Sequence, residues 1–351
     1  MATILSEIKA PFVNEATLKR VMSKAVKENI FQSIFAKPNE AVTEKFSTDT
    51  SAAQIQVIRV LPDGVEAREI GAATNGGWFN GNDAGTPTTE AYGIDILDIV
   101  DNCRDIPTNQ QDMMDVDLVA AELTNLSGKV ARNVNAITIA AQLAKNFNDI
   151  ANGAATNWVT VSGTNYLDAI IEAGAKLDEG NPDQGIDAYP DDMRAIFIRP
   201  SVKAGLMKSG QLIIGGSNYA QDIIRNGGVD VETNPQAATT GYLGTINNMP
   251  VYSASPIVWA TAEKYLGLSA GALNDVYMLV VSAVGTGRAL AFNEAIKTIP
   301  SPAGQGIRIQ PKYRFGAKCW DYKSVVPIVD GGFGNPATAS NNLTVKAPAS
   351  R

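Results

Sequence analysis

Histidine is absent from this 351-residue chain. Its absence removes Ser-His-Asp and Cys-His catalysis, imidazole-bound zinc and the usual near-neutral acid/base group. Cysteine is almost as scarce. Cys103 and Cys319 lie far apart and match no metal-ligand spacing, so they read as buried thiols, not as a disulfide. No basic run occurs anywhere. The net charge is −7 and the pI is near 4.9, a poor balance for binding nucleic acid by counterion release. No stretch reaches the roughly 18 apolar residues that a membrane helix needs. The first 14 residues lack a basic region followed by a long apolar run, so no signal peptide is expected, and synthesis and folding are expected in a cytoplasm. No cofactor and no metal are expected.

What remains is ordinary for a folded chain: 45% apolar and 19% charged residues. The length suits one large domain or two smaller ones. Residues 15–35 read as an amphipathic helix, with Leu18, Met22, Val26, Ile30 and Ile34 recurring every four positions. Residues 54–61 read as a strand, which residues 65–70 are expected to join across a Pro62-Asp63-Gly64 turn. Residues 90–100 alternate Ile94, Ile96 and Ile99 with Asp95 and Asp98 and read as another strand. Between them lies a Gly/Asn/Thr-rich stretch of a length uncommon inside a compact domain, a segment that is either disordered or held from outside its own domain.

The strongest signal runs over 112–150. Val116, Val119, Leu123, Leu126, Val130, Val134, Ile137, Ala141, Ala144 and Phe147 follow each other by three or four. The opposite face carries Asp117, Glu122, Lys129, Arg132, Asn135, Gln142 and Lys145. Asp112, Asp115 and Asp117 suit the helix start and Asn152-Gly153 the stop. Such a helix is roughly 50 Å long, against a radius of gyration of about 20 Å for a compact chain of this size. Ser127-Gly128 interrupts it near the middle, where a Ser/Gly pair is either a packing site for a crossing element or a point of bending.

Beyond it the reading is mixed. Helices are expected over 166–177, 201–208 and 218–226. Strands are expected over 193–198, over 242–253 as a pair around Asn247-Asn248, over 276–282, and over 318–329 as a closing strand. Residues 288–299 and 306–314 read as a hairpin. The tail, 331–351, lacks core-forming periodicity, and its order is expected to need clamps from neighbouring molecules.

Gly285-Thr286-Gly287-Arg288 follows a strand but lacks the Lys-Ser/Thr of a phosphate loop, and reads as a plain turn. Residues 80–85 echo a calcium loop without its ligand spacing. Asp191-Asp192 reads as a solvated pair. No carboxylate pair suggests acid/base work.

The order of elements is an N-terminal arm, a long two-stranded excursion, a spine helix, a mixed region and closing strands. It resembles the Hong Kong 97-type major capsid fold of tailed bacteriophages. GYLGTINNMPVYSAS and VGTGRALAFNEAIKTIPSPAGQGIRIQPKYRFGAKCWDYKSVVPIV are similar to the family's strand leading to Pro-Val and to its closing hairpin and strand. The resemblance covers about residues 10–330. It implies an α+β chain with an N-terminal arm and helix over 1–46, an extended loop over 47–105 lying across a neighbouring subunit, and a peripheral domain with the spine helix over 106–184. An axial domain over 185–275, closing strands of the peripheral domain over 276–330 and a tail over 331–351 complete it. It implies no enzyme. The subunit would build pentamers and hexamers of an icosahedral shell around double-stranded DNA, in the host cytoplasm and then the virion, with separate scaffolding, portal and decoration proteins and no membrane. Trp78 and Phe79, in the glycine-flanked loop, either fold back onto their own strands or anchor the loop on that neighbour. Ser127 and Gly128 would let the spine bend during maturation. An encapsulin-type compartment of the same fold is the alternative, and an α+β enzyme or ligand-binding protein a distant one.

Overall fold

The structure is a computed structural model that describes residues 45–46, 54–60, 89–100, 104–107, 118–161, 163, 165–182, 186–208, 242–247, 249–291, 296–300 and 306–346. In chain order the strands and helices are β1 (Lys45–Phe46), β2 (Gln54–Val60), β3 (Thr89–Asp95), β4 (Leu97–Val100), β5 (Arg104–Pro107), α1 (Leu118–Ala151), β6 (Val159–Thr160), α2 (Tyr166–Asp178) and β7 (Arg194–Ile198). Then follow α3 (Pro200–Lys208), β8 (Tyr242–Ile246), β9 (Met249–Ser253), α4 (Pro256–Tyr265), β10 (Val276–Ser282), β11 (Thr286–Ala291), β12 (Ile296–Pro300), β13 (Gly306–Cys319) and β14 (Val325–Val329). The expected helices at 15–35 and 218–226, the start of the spine before 118, Cys103 and the calcium-like loop lie outside the described residues.

One sheet has the strand order β6-β14-β10-β7-β9-β8. Its central strands read RAIFI, VYMLVVS and VVPIV and are almost wholly buried, as strands covered on both faces must be. The period of two sorts their side chains. Ala195, Phe197, Leu279, Val281, Val325 and Val329 pack towards α1. Ile196, Ile198, Met278, Val280, Val326 and Ile328 pack towards α2, on Ala169, Ile170, Ala173 and Leu177. The β8–β9 turn holds Asn247 at φ +50, a left-handed position that Asn tolerates. This sheet joins strands from the expected peripheral, axial and closing segments.

The second sheet is built on β13. This strand pairs with β5 and β12 near Gly306, with β4 from Lys312, and with β11 up to Cys319. The expected hairpin is present as β12–β13, but residues 288–291 belong to a separate strand, β11, paired further along β13. The expected closing strand over 318–329 is two strands in two sheets. Residues 320–324 turn the chain between them, because Asp321 accepts from Lys323 N and Ser324 Oγ and closes a 3-10 turn.

In the excursion β2 pairs with β3, from Gln54↔Asp95 to Val60↔Thr89, while residues 65–70, expected to join it, lie outside the described residues. The register forms a seven-residue antiparallel ladder. The chain then bends at Ile96 into β4 on the second sheet. Gly316 permits this crossing: a Cβ there would lie 2.2 Å from Asp95 O.

α1 is continuous over 34 residues and passes through Ser127-Gly128 without a break. From Val134 to Ala144 every residue is buried. Asn135 (6% exposed) and Gln142 (0%), on the face opposite the apolar stripe, are inside. Sequence period marks one apolar stripe, whereas here α4, β13 and the tail cover the other sides as well. Lys145 stays half-exposed, paired with Asp149 at 2.8 Å.

Candidate functional site

Trp78 and Phe79 lie outside the described residues. Ser127 and Gly128 lie in the first half of α1, far along the helix from the segment that the body grips. Two polar arrangements provide that grip, and both join parts of the chain remote in sequence.

The first is centred on Asp321, which is 1% exposed. Its Oδ1 accepts from Asn181 Nδ2 (2.9 Å) and Lys323 N (3.1 Å), and its Oδ2 accepts from Tyr189 OH. Beside it, Asn146 of α1 donates to Val325 O (2.8 Å) and Tyr322 O (3.3 Å), and Asn157 donates to the same two carbonyls at 3.0 Å. Buried carbonyls at a chain reversal need such donors. The arrangement pins the spine, the loop after α2 and the corner between the two sheets. Arg194, buried under Tyr189, donates to Tyr189 O and reaches Asp178 at 2.6 Å and Asp191 at 3.1 Å. Asp191 is therefore an ion-pair partner at the body's edge, while remaining exposed.

Glycines explain the neighbouring Gly285-Thr286-Gly287-Arg288. A Cβ on Gly285 would meet Ser324 Oγ at 1.8 Å, and one on Gly287 would meet the Trp320 ring at 2.5 Å. The segment ends a 3-10 turn and starts β11, with Thr286 and Arg288 buried. It presents no open backbone cradle to a phosphate. Cys319 lies against the same corner. Burial, aided by the nearby Asp321 charge, pushes its thiol up to about 12, so it is inert as a nucleophile at neutral pH.

The second grip seats the tail on the last turns of α1. Asn148 Nδ2 donates to Leu343 O (2.8 Å) and Asn148 Oδ1 accepts from Leu343 N (2.7 Å). Asn335 Nδ2 donates to Phe147 O (2.9 Å), and Lys346 N to Tyr265 O at the end of α4 (2.9 Å). Phe333 packs on Phe147 and Trp158, with centroids 5.4 and 5.5 Å away, and Ala337 and Leu343 are buried. The tail over 331–346 thus has a seat on its own chain. Side-chain to main-chain bonds do what periodicity could not announce. Leu343 and Val345, with Ala141, Ala144, Leu97 and Ala317, also line a cleft of about 220 Å³ beside the root of the excursion.

Elsewhere, Arg199 lies over Trp259, 4.7 Å from the ring centroid, and donates to Leu273 O and Val276 O. Burial lowers its pKa, offset by the charges of Glu263 and Asp275. Glu263 in turn accepts from Gly271 N and Leu273 N, closing the loop after α4. Among the described residues no group of three or more carboxylate and thiol side chains is placed to hold a metal ion. No described helix is long and apolar enough to cross a membrane.

No protein-family model and no curated protein matches the sequence. The fold does match solved structures. The capsid of Ralstonia phage GP4 is similar with a TM-score of 0.53 and 11% identity, over 93% of this chain and 93% of that one. The capsid structure of cyanophage P-SCSP1u gives 0.51 and 14% identity, over 83% and 86%. The asymmetric unit of the bacteriophage PhiM1 mature capsid gives 0.50 and 11%, over 84% and 86%. The mixed α/β fold of this chain is that of phage capsid subunits.

Proposed function

We propose that this chain is a major capsid protein that self-assembles into the icosahedral shell of a tailed phage. The observation that carries this reading is a fold shared with a phage capsid subunit over 93% of both chains. An inert buried thiol and a composition without histidine fit a structural role and not a catalytic one. The chemistry of such a subunit is interface burial, repeated over many copies.

In this reading residues 47–105 form the extended loop laid on a neighbour, rooted in the β2–β3 ladder, with Trp78 and Phe79 as its anchor. Residues 106–184 and 276–330 form the peripheral domain around α1. Residues 185–275 form the axial domain that meets its copies in pentamers and hexamers. Ser127-Gly128 is the place where the spine bends as the shell matures. The acidic balance suits a wall that encloses double-stranded DNA without reading it. Scaffolding, portal and decoration functions fall to separate proteins, in the host cytoplasm and then the virion.

Negative-stain microscopy of the purified chain tests the reading. Large polyhedral shells are expected. Particles the size of one chain would overturn it, and small uniform shells would reassign it to a cellular compartment of the same fold.

A further inference from the structure

Glycine costs chain entropy on ordering, so a folded segment keeps it where the backbone or a close neighbour demands it. In the body the demand is visible. A Cβ on Gly180 would lie 2.3 Å from Ile186 O, with φ at +62, and one on Gly316 would lie 2.2 Å from Asp95 O. The link between β14 and the seated tail is different. Gly331, Gly332 and Gly334 fall within four residues, and none has a left-handed φ. A Cβ on Gly331 would meet nothing nearer than 4.0 Å, one on Gly332 only its neighbour Asp330 at 3.7 Å, and one on Gly334 nothing within 4 Å. The closed position of the tail requires none of these glycines. They fit a link that must also bend another way.

The seat itself does not depend on which chain brings the tail. Asn148 reads the N–H and C=O of one residue, Asn335 brings its own amide to Phe147 O, Lys346 N donates to Tyr265 O, Asn152 donates to Asn342, and two buried side chains and one ring complete the seat. No strand of either six-stranded sheet pairs with residues 333–346.

We propose that the link at residues 331–332 is a hinge, eased by Gly334 just beyond it, and that segment 333–346 is exchanged between copies, leaving its own groove and filling the identical groove of a neighbouring copy. An exchanged segment needs no new complementary surface, because each copy already carries the seat. Neighbouring copies at high effective concentration make the exchange favourable in an assembly. This inference rests on the shell reading.

The test uses full chains carrying Cys103→Ser, leaving the unreactive Cys319 in place. Asn152 and Asn342 are exposed and touch through their side chains at 3.3 Å across the seat. Chains bearing only Asn152→Cys and chains bearing only Asn342→Cys are co-assembled and treated with a short bismaleimide. Exchange gives a band at twice the chain's mass, absent from particles of either variant alone. If particles form without that band, while the double variant Asn152→Cys/Asn342→Cys is bridged within single chains, exchange is overturned and the shell reading stands. If no particles form, the shell reading fails first. If particles form and the double variant is not bridged at all, the seat is wrong and the proposal falls with it. Replacing Gly331, Gly332 and Gly334 by Ala should reduce the doubled band severalfold without lowering the melting temperature. An unchanged band would remove the hinge from the account.

Discussion

Asn148 and Leu343 bind each other through both faces of a carboxamide: Nδ2 donates to Leu343 O at 2.8 Å and Oδ1 accepts from Leu343 N at 2.7 Å. The side chain amide copies a peptide group, so one helix residue pairs with an irregular segment as a strand would. It does so next to Phe147, whose carbonyl is taken by Asn335 and whose ring meets Phe333. Two consecutive residues of α1 thereby fix a tail 195 positions away in sequence.

Asn148→Asp separates recognition from bulk. The carboxylate still accepts from Leu343 N, but it faces Leu343 O with like partial charge. Loss of one satisfied bond and creation of a repulsion cost about 1–3 kcal/mol, confined to the tail. Hydrogen exchange should show the amides of Leu343 and Lys346 losing protection while those of β10 and β14 keep theirs. Uniform loss across the chain would mean that the tail is part of the cooperative core.

Asp321→Ala should be far more damaging. Tyr189 OH, Asn181 Nδ2 and Lys323 N all lose a buried acceptor at once. Each stranded donor costs about 1–3 kcal/mol, enough to lower the melting temperature by on the order of 5 °C. Asp321→Asn retains part of the acceptor set and should fall between. Thermal melts of the two variants check the order. An alanine variant as stable as the parent would remove Asp321 from the centre of the junction.

These two grips show what the sequence could announce and what it could not. The spine, β7, β10 and the Asn247 turn are local patterns, and local pattern is what periodicity reads. The helix α4 was missed although Pro256 stands at its first position and Val258, Trp259, Ala262 and Tyr265 share a face. At 10 residues it is too short for its period to stand out. The partner of β2 is β3, with residues 61–88 between them, and pairing over such a gap leaves no local mark. Burial of Asn135 and Gln142 depends on how many layers cover α1, which the stripe itself does not encode. The tail has no period because its order comes from Asn148, Asn335 and Phe333 taken singly. Trp78, Phe79 and the first helix offer no comparison, lying outside the described residues.

Cys319 gives a pH prediction. Its thiol is pushed up to about 12 in the fold from the usual 9.0, by burial first and by Asp321 second. The folded state therefore keeps a proton that the unfolded state releases. This contribution is whole below pH 9 and declines as pH rises towards 12, by about 1.4 kcal/mol per pH unit at most. Urea midpoints should drop between about pH 9 and pH 11, and Cys319→Ala should flatten that drop. The same slope in parent and variant would assign the alkaline loss to other groups. At pH 8 the native thiol should also resist maleimide and react only after unfolding.

Trp78→Ala tests the assembly reading at the residue best suited to act between copies. Three of the four tryptophans have work inside their own chain: Trp158 meets Phe333, Trp259 lies under Arg199, and Trp320 covers Gly287. Trp78 sits beside Phe79 in a stretch rich in glycine and asparagine, where an aromatic pair has little of its own segment to bury against. If the pair anchors the excursion on a neighbour, removing the indole takes away an interface centre worth about 2 kcal/mol or more at each contact. Because the contact recurs at every copy, the protein concentration needed for shells should rise at least roughly tenfold. The melting temperature of the unassembled subunit should stay the same, since nothing in its own core is lost. Light scattering against concentration, paired with a melt of the disassembled protein, separates the outcomes. A lowered melt with unchanged assembly would place Trp78 on its own strands instead.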